Sequence, residues 1–172
     1  SQDKIYQIKD IENRISAPIL GIVPIYTRAR METSQLVVDS NPKSAISEAM
    51  RSIRTNLDFI GGKQDARIYS VTSTISGEGK TFVSLNLSGV IAMTGKKVVI
   101  LDLDMRKPKI HLAFDGTNTK GVSTILIGRQ SFKECLGDTA ISTLKYISSG
   151  PKPPNPSELL LSDRFQEFIE DL

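Results

Sequence analysis

A chain of 172 residues and 18.9 kDa has room for one domain and an arm, with 39% hydrophobic and 24% charged residues to supply a core and a solvated surface. A single cysteine, Cys135, and a single histidine, His111, exclude a disulfide framework, a cysteine-based zinc site and a multi-histidine metal centre, and make Ser-His-Asp hydrolysis hard to place. The net charge of +3, from 22 basic and 19 acidic residues, is too small an excess for a nucleic-acid stripe. No apolar run approaches the roughly 20 residues of a bilayer span, and the N-terminus has no signal-peptide core.

A soluble, reducing-compartment α/β molecule is therefore expected. Residues 1–40 read as an arm. Ile5, Ile8, Ile11 and Ile15 recur at helical spacing, Pro18 breaks the helix, and residues 19–24 look extended. Asn41-Pro42 opens the next element, and Ile46, Ala49, Met50, Ile53, Leu57 and Ile60 predict a helix from Ser44 to about Phe59, stopped by Gly61-Gly62. Residues 67–74, β-branched and aromatic, predict a strand. A glycine-rich turn at 76–79 leads into a helix from Lys80 to about Met93, with Gly95 as its stop. The near-continuous apolar run over 97–103 suits a parallel strand buried on both faces. Strand, helix and strand make a βαβ unit, so 67–74 and 97–103 should run parallel. Val122–Leu126 and Ser131–Leu136 predict short helices, Leu144–Ser148 a third strand, and Gly150–Pro156 a proline-rich loop. Asn155, Pro156 and Glu158 predict a capping box for a last helix that buries Leu159, Leu160, Phe165, Phe168, Ile169 and Leu172.

Two segments carry chemistry. Thr74-Ile75-Ser76-Gly77-Glu78-Gly79-Lys80-Thr81 follows the phosphate-loop spacing, with Thr74 where that motif has glycine. Gly77 and Gly79 permit a tight turn whose N–H groups face phosphate oxygens, and the helix N-terminus adds positive potential. Lys80 can reach the β- and γ-phosphates, and the Thr81 hydroxyl can ligate Mg²⁺. An ordinary glycine-rich βα turn would not need Gly-Lys-Thr at this junction. The second segment is the run ending in Asp102 and Asp104, at the C-terminal end of the next strand, where ligands bind in open α/β sheets. The two acids share strand parity and could serve one Mg²⁺; the bland alternative is a solvated acidic turn. Glu48, Arg51 and Arg54, at i, i+3 and i+6, read from spacing alone as a solvated helix face with one local ion pair of about 0.2–0.5 kcal/mol. His111 reads as a structural or capping residue, Cys135 as a small buried hydrophobe, and the proline loop as punctuation or the border of a nucleotide base.

With these residues in view the chain resembles the bacterial tyrosine kinases of capsule and exopolysaccharide export. Ser73 to Thr81 is similar to that family's Walker A segment, and Ile100 to Arg106, continued by Pro108 and His111, to its Walker A′ motif. Glu48, Arg51 and Arg54 match its E-x-x-R-x-x-R motif, and Gly121 to Gly128 and Pro153 to Leu160 resemble later blocks. Pro18 to Pro24 resembles the stretch after the second transmembrane helix of the membrane-fused form. Ser76 stands where the family often has proline, with little expected consequence.

The resemblance implies a P-loop NTPase-like α/β fold with a mainly parallel sheet flanked by helices, divided into a juxtamembrane-like arm (1–40) and a kinase domain (41–172). It implies an ATP-dependent protein tyrosine autokinase regulating exopolysaccharide or capsule polymerisation and export. Lys80, Asp102 and Asp104 would be catalytic, and Ser76, Gly77, Glu78, Gly79, Lys80, Thr81 and Phe82 would bind ATP or ADP. Thr81, Asp102 and Asp104 would hold Mg²⁺. Glu48, Arg51 and Arg54 would join protomers in a ring. Implied partners are copies of the chain, a membrane co-polymerase segment in the same or a partner chain, and tyrosine-bearing proteins. The location would be a cytoplasmic domain tethered to the bacterial inner membrane. The Walker B strand and tyrosine-rich tail are absent, so the chain resembles a kinase domain cut short at Leu172. Poor catalysis is expected, with Phe165, Phe168 and Ile169 partly uncovered. Two other functions compete. A MinD/ParA-like ATPase would carry a signature lysine where this chain has Ile75. A nucleotide-dependent assembly scaffold would bind ATP without phosphotransfer. A nucleic-acid binder has little support in the charge.

Overall fold

A computed structural model describes residues 17–24, 35–63, 65–73 and 79–172. The helix expected over Lys4 to Ile15 lies outside them, as do Ser76, Gly77 and Glu78. Eight helices occur among the described residues: α1 (Val37–Ser40), α2 (Ala45–Gly61), α3 (Lys80–Ala92), α4 (Ile110–Ala113), α5 (Val122–Leu126), α6 (Phe132–Cys135), α7 (Pro156–Leu160) and α8 (Asp163–Asp171). The strands are β1 (Val98–Leu101), β2 (Gly137–Asp138) and β3 (Leu144–Ile147), in sheet order β1-β3-β2.

The parallel pairing exists, between different partners from those expected. β1 runs parallel to β3, with Val98 opposite Leu144 and Leu101 opposite Ile147. The short β2 pairs antiparallel with β3, so the sheet is mixed. Residues 67–73 form no ladder, which corrects the strand expected there. Their β-branched and aromatic side chains favour a pleated, half-buried surface, but strand structure also needs a neighbour's backbone groups. Here Ile68, Tyr69 and Val71 are exposed, and Arg67 is held by side-chain bonds to Asp58 (3.2 Å) and Tyr69 (3.3 Å) and by the Gly62 carbonyl.

The helices follow their local signals. The Ser44 hydroxyl accepts the Ser47 N–H at 3.1 Å to open α2. Ser131 and Glu134 form a reciprocal capping box on α6. The single last helix is instead two. Leu161 and Ser162 interrupt it, and the Ser162 hydroxyl accepts the Phe165 N–H to start α8. Pro156 does open α7, but the Asn155 side chain makes no cap; it donates to the Glu158 carboxylate at 3.2 Å.

Three apolar clusters hold the elements together. The first joins Val37 and Val38 of α1 to Met50 of α2 and Val90 of α3, with Leu20 and Val23 packed against it. Each fully buried valine contributes about 1.5–3 kcal/mol, so α1 belongs to the core. Asn86, fully buried in α3, accepts from Val38 N–H (3.1 Å) and donates to the Gln35 and Phe82 carbonyls (3.0 and 2.9 Å). The second cluster packs Leu85 against Ile100, Ile110, Leu144 and Tyr146. The third gathers Met105, Val122, Leu126, Ile147 and Phe168, with Phe165 and Ile169 against it. The α8 face is partly uncovered, as expected: Phe168 is buried, Phe165 and Ile169 are half-buried, and Leu172, expected to be buried, is exposed.

Cys135 is buried as expected, and Tyr146 stacks on Phe114 with ring centroids 4.7 Å apart. Burial pushes the Cys135 thiol and the Tyr146 hydroxyl above their ordinary pKa values. Each keeps its proton to higher pH in the folded chain than in the unfolded one. That stabilisation is complete below the unfolded pKa and is lost as pH rises through the folded value. The melting temperature is therefore expected to fall above about pH 9, and Tyr146→Phe to flatten the fall above about pH 10. A melt that does not respond to pH between 8 and 11 would contradict this.

Candidate active site

α3 begins at the last residues of the phosphate-loop sequence. Gly79 is its N-cap, at φ +91°, a left-handed conformation that L side chains rarely adopt. Gly79 itself brings no side chain to cap this end. A helix N-terminus carries positive potential that favours an anion. Lys80 and Thr81 are half-buried in the first turn. At its other end α3 turns back through Gly95 (φ +90°) into β1. The Thr143 hydroxyl, at the N-terminal end of β3, donates to the Ala92 carbonyl at the end of α3, so the start of α3 is directed toward the other end of the sheet, where Asp102 and Asp104 follow β1.

The acidic pair divides its work. The strand ends at Leu101, so strand parity does not aim both acids at one point, which corrects that expectation. Asp102 is buried. Its main-chain N–H donates to the Ile147 carbonyl at 3.0 Å, extending the β1–β3 ladder. Its carboxylate accepts three backbone N–H groups, from Asp104 (3.0 Å), Lys109 (2.9 Å) and Ile110 (3.1 Å). Of about four acceptor positions on a carboxylate, three are occupied. Asp104 is exposed, and its Oδ1 accepts the Arg106 and Lys107 N–H groups at 3.2 and 3.0 Å. Asp102 therefore folds the loop that presents Asp104.

No cluster of three or more Asp, Glu, His or Cys side chains suited to a metal occurs among the described residues. Mg²⁺ bound with a nucleotide needs only one or two protein oxygens, the rest coming from phosphates and water. The Thr81 hydroxyl and the exposed carboxylate of Asp104 are oxygen donors of the kind that demand requires, and a helix N-terminus suits phosphates.

A second loop borders the same end of the sheet. Ser148, Ser149 and Gly150 follow β3 and are buried. The Asn118 side chain accepts the Gly150 N–H at 2.8 Å and donates to the Gly150 carbonyl at 2.9 Å. The Ser123 hydroxyl donates to the Pro151 carbonyl at 2.7 Å. Sequence reading missed Asn118 and Asn86, because an asparagine's partners lie far along the chain and leave no local pattern.

Glu48, Arg51 and Arg54 share α2, but the local ion pair of the solvated-face reading does not form. Arg51 donates to the Pro42 carbonyl (2.8 Å) and Arg54 to the Val90 carbonyl (3.2 Å), while Glu48 is exposed. His111 serves α4 through its carbonyl, which accepts the Gly116 N–H at 2.8 Å. The open groove of about 560 Å³ lined by Asp58, Phe59, Lys63, Arg67 and Lys96 lies at the C-terminal end of α2 and the N-terminal approach to β1, at the opposite end of the strand from Asp102.

Residues 69–157, more than half of the chain, match the family model described as the CobQ/CobB/MinD/ParA nucleotide binding domain. The chain belongs to this family. Within it, the chain is 42% identical over 140 residues to tyrosine-protein kinase wzc of Salmonella typhi, covering 81% of this chain and 20% of the relative. It is 38% identical over 140 residues to tyrosine-protein kinase YwqD of Bacillus subtilis, covering 81% of this chain and 59% of the relative. The solved BceF tyrosine kinase domain superposes with a TM-score of 0.83 at 30% identity, covering 97% of this chain and 71% of that one. The nucleotide-binding domain thus spans only part of these curated relatives. Among its described residues no helix is long and apolar enough to cross a membrane.

Proposed function

We propose that the chain is the kinase domain of a bacterial protein tyrosine kinase, transferring the γ-phosphoryl group of Mg·ATP to protein tyrosines, its own included, and thereby regulating exopolysaccharide or capsule polymerisation and export. The observation that supports this reading is a Gly-Lys-Thr helix start directed toward the end of the sheet where Asp102 and Asp104 follow β1. The kinases among its relatives support the choice of reaction, and Ile75, in place of the signature lysine, weighs against a partitioning ATPase.

Phosphoryl transfer asks a protein mainly for positioning and charge neutralisation, so neither a cysteine nor a histidine nucleophile is required. Ser76, Gly77, Glu78 and Gly79 would supply the phosphate cradle, with Phe82 in the first turn of α3. The Lys80 ammonium neutralises the transferring phosphate. Thr81 and Asp104 hold Mg²⁺, with Asp102 completing the set through its remaining acceptor position. A Mg²⁺ held there would supply positive charge to offset that developing on the phosphates. One of the two aspartates takes the proton of the incoming tyrosine hydroxyl. In this reading residues 1–40 form a juxtamembrane-like segment, seated on the kinase domain (41–172) through Val37 and Val38, and the domain works in the cytoplasm tethered to the inner membrane by the same or a partner chain. Label from γ-labelled ATP appearing on tyrosine tests the reading. Label released only as free phosphate would favour an ATPase, and binding without turnover a scaffold.

Glu48, Arg51 and Arg54 are proposed to join protomers in a ring-like homo-oligomer. Glu48 is exposed and unpaired within its own helix, and the two arginines are half-buried. The triple Ala variant is expected to lower the assembly mass by light scattering with the circular dichroism unchanged. The same mass from an oligomeric parent would return these residues to a solvated face.

A further inference from the structure

We propose that Asn86 is a positioning residue that couples the seating of residues 35–38 to the first turn of α3, so that unseating this segment weakens nucleotide binding. The inference rests on the reading above, that nucleotide phosphates bind at the start of α3, and adds to it a point of control within two turns of Lys80.

A fully buried asparagine is costly unless its polar atoms find partners. The bonds of Asn86 are of two kinds. One stays within the helix, where Nδ2 donates to the Phe82 carbonyl at 2.9 Å. The other two leave it. Nδ2 also donates to the Gln35 carbonyl at 3.0 Å, and Oδ1 accepts the Val38 N–H at 3.1 Å. One planar amide therefore ties the first turn of α3 to residues 51 and 48 positions earlier in the chain. An apolar side chain of similar size would fill the space and hold none of these groups.

The helix is shaped for the same segment further along. A Cβ at Gly89 would lie 2.6 Å from Val38 Cγ2 and 2.9 Å from Leu36 Cδ1, so only glycine leaves room for both side chains. Val37 and Val38 are fully buried, and Leu36, Phe82 and Val83 pack against the cluster they belong to. Phe82 and Val83 follow Lys80 and Thr81 in the opening turn of α3. The amides of that turn have no partners within the helix, and Gly79 brings no side chain to them, so the turn is held by its packing. When residues 35–38 leave their seat, Phe82 and Val83 lose part of their cover and the turn frays. A nucleotide that needs the ordered turn must then also favour the seated segment, because coupling between two sites is reciprocal.

The test has two arms, both using Mg·ADP as the probe. Gly89→Val leaves Asn86 intact and forces Val38 and Leu36 off the helix. This variant and Asn86→Ala are each expected to raise the Kd for Mg·ADP about tenfold, by titration calorimetry at a temperature well below their melts. Phe168→Leu, which loosens the third cluster instead, should change it by less than about twofold. An unchanged Kd in Gly89→Val, or the same loss in Phe168→Leu, would overturn the proposal. The second arm needs no variant. In the wild-type chain, saturating Mg·ADP is expected to slow hydrogen exchange of the Val38 amide about tenfold. Protection of the Lys80 and Thr81 amides with Val38 unaffected would likewise overturn the coupling. Protection at neither place would overturn the nucleotide reading of the α3 start itself, an outcome distinct from both.

Discussion

Replacing Lys80 with methionine is expected to lower the rate of phosphate transfer to tyrosine by about 10³-fold or more, with far-ultraviolet circular dichroism unchanged. Lys80 occupies the first turn of α3, where the helix N-terminus behind the left-handed Gly79 already favours anions. Its ammonium adds the one full positive charge in that turn, and methionine keeps most of the stem's volume without it. Because the first turn is half-buried and α3 is anchored further along by Leu85, Leu87 and Val90, the fold should not depend on the ammonium. Retention of normal labelling by this variant would show that the Gly-Lys-Thr segment is an ordinary βα turn.

The second large effect separates the two aspartates. Asp102→Ala removes the acceptor of three backbone N–H groups in a buried setting. A buried donor left without a partner costs about 1–3 kcal/mol. Loss of the three together is expected to destabilise the chain by about 3 kcal/mol or more and to lower the melting temperature by roughly 6–12 °C. Asp104→Ala, at an exposed turn with two amides on one oxygen, should shift the melt by no more than about 3 °C, yet reduce phosphate transfer at least about 10²-fold. Equal melts for the two variants, read by calorimetry, would contradict the division of labour read from their hydrogen bonds.

The same two residues show how far the sequence could be read. Their position after an apolar run pointed to the C-terminal end of a parallel strand, and that is where they stand, although β1 is not buried on both faces as expected: Ile100 is buried and Val99 exposed. Their different tasks were not legible, because they depend on where Lys109 and Ile110 return, and that return is set by the packing of Met105 and Ile110 into two separate clusters. Helices with local signals, such as α2 behind Ser44 and α6 behind Ser131, were legible for the opposite reason: their caps lie within three residues. The sequence over 67–74 misled, since β propensity describes a residue's fit to a sheet and says nothing of whether a partner edge is present. α1 escaped notice because two valines and a contact to Asn86, 48 residues away, hold it in place. The phosphate loop is legible by its spacing, and the structure adds that Gly79, at φ +91°, is the N-cap of α3.

The central claim is that nucleotide phosphates are held at the start of α3 and face the Asp102–Asp104 turn. The most direct test is a crystal structure of the protein with Mg·ADP. The account predicts the β-phosphate on the amides of Gly79, Lys80 and Thr81 within reach of the Lys80 ammonium, and Mg²⁺ about 2.1 Å from the Thr81 hydroxyl. Nucleotide seated instead in the groove of Asp58, Phe59, Arg67 and Lys96, with the α3 terminus empty, would contradict it.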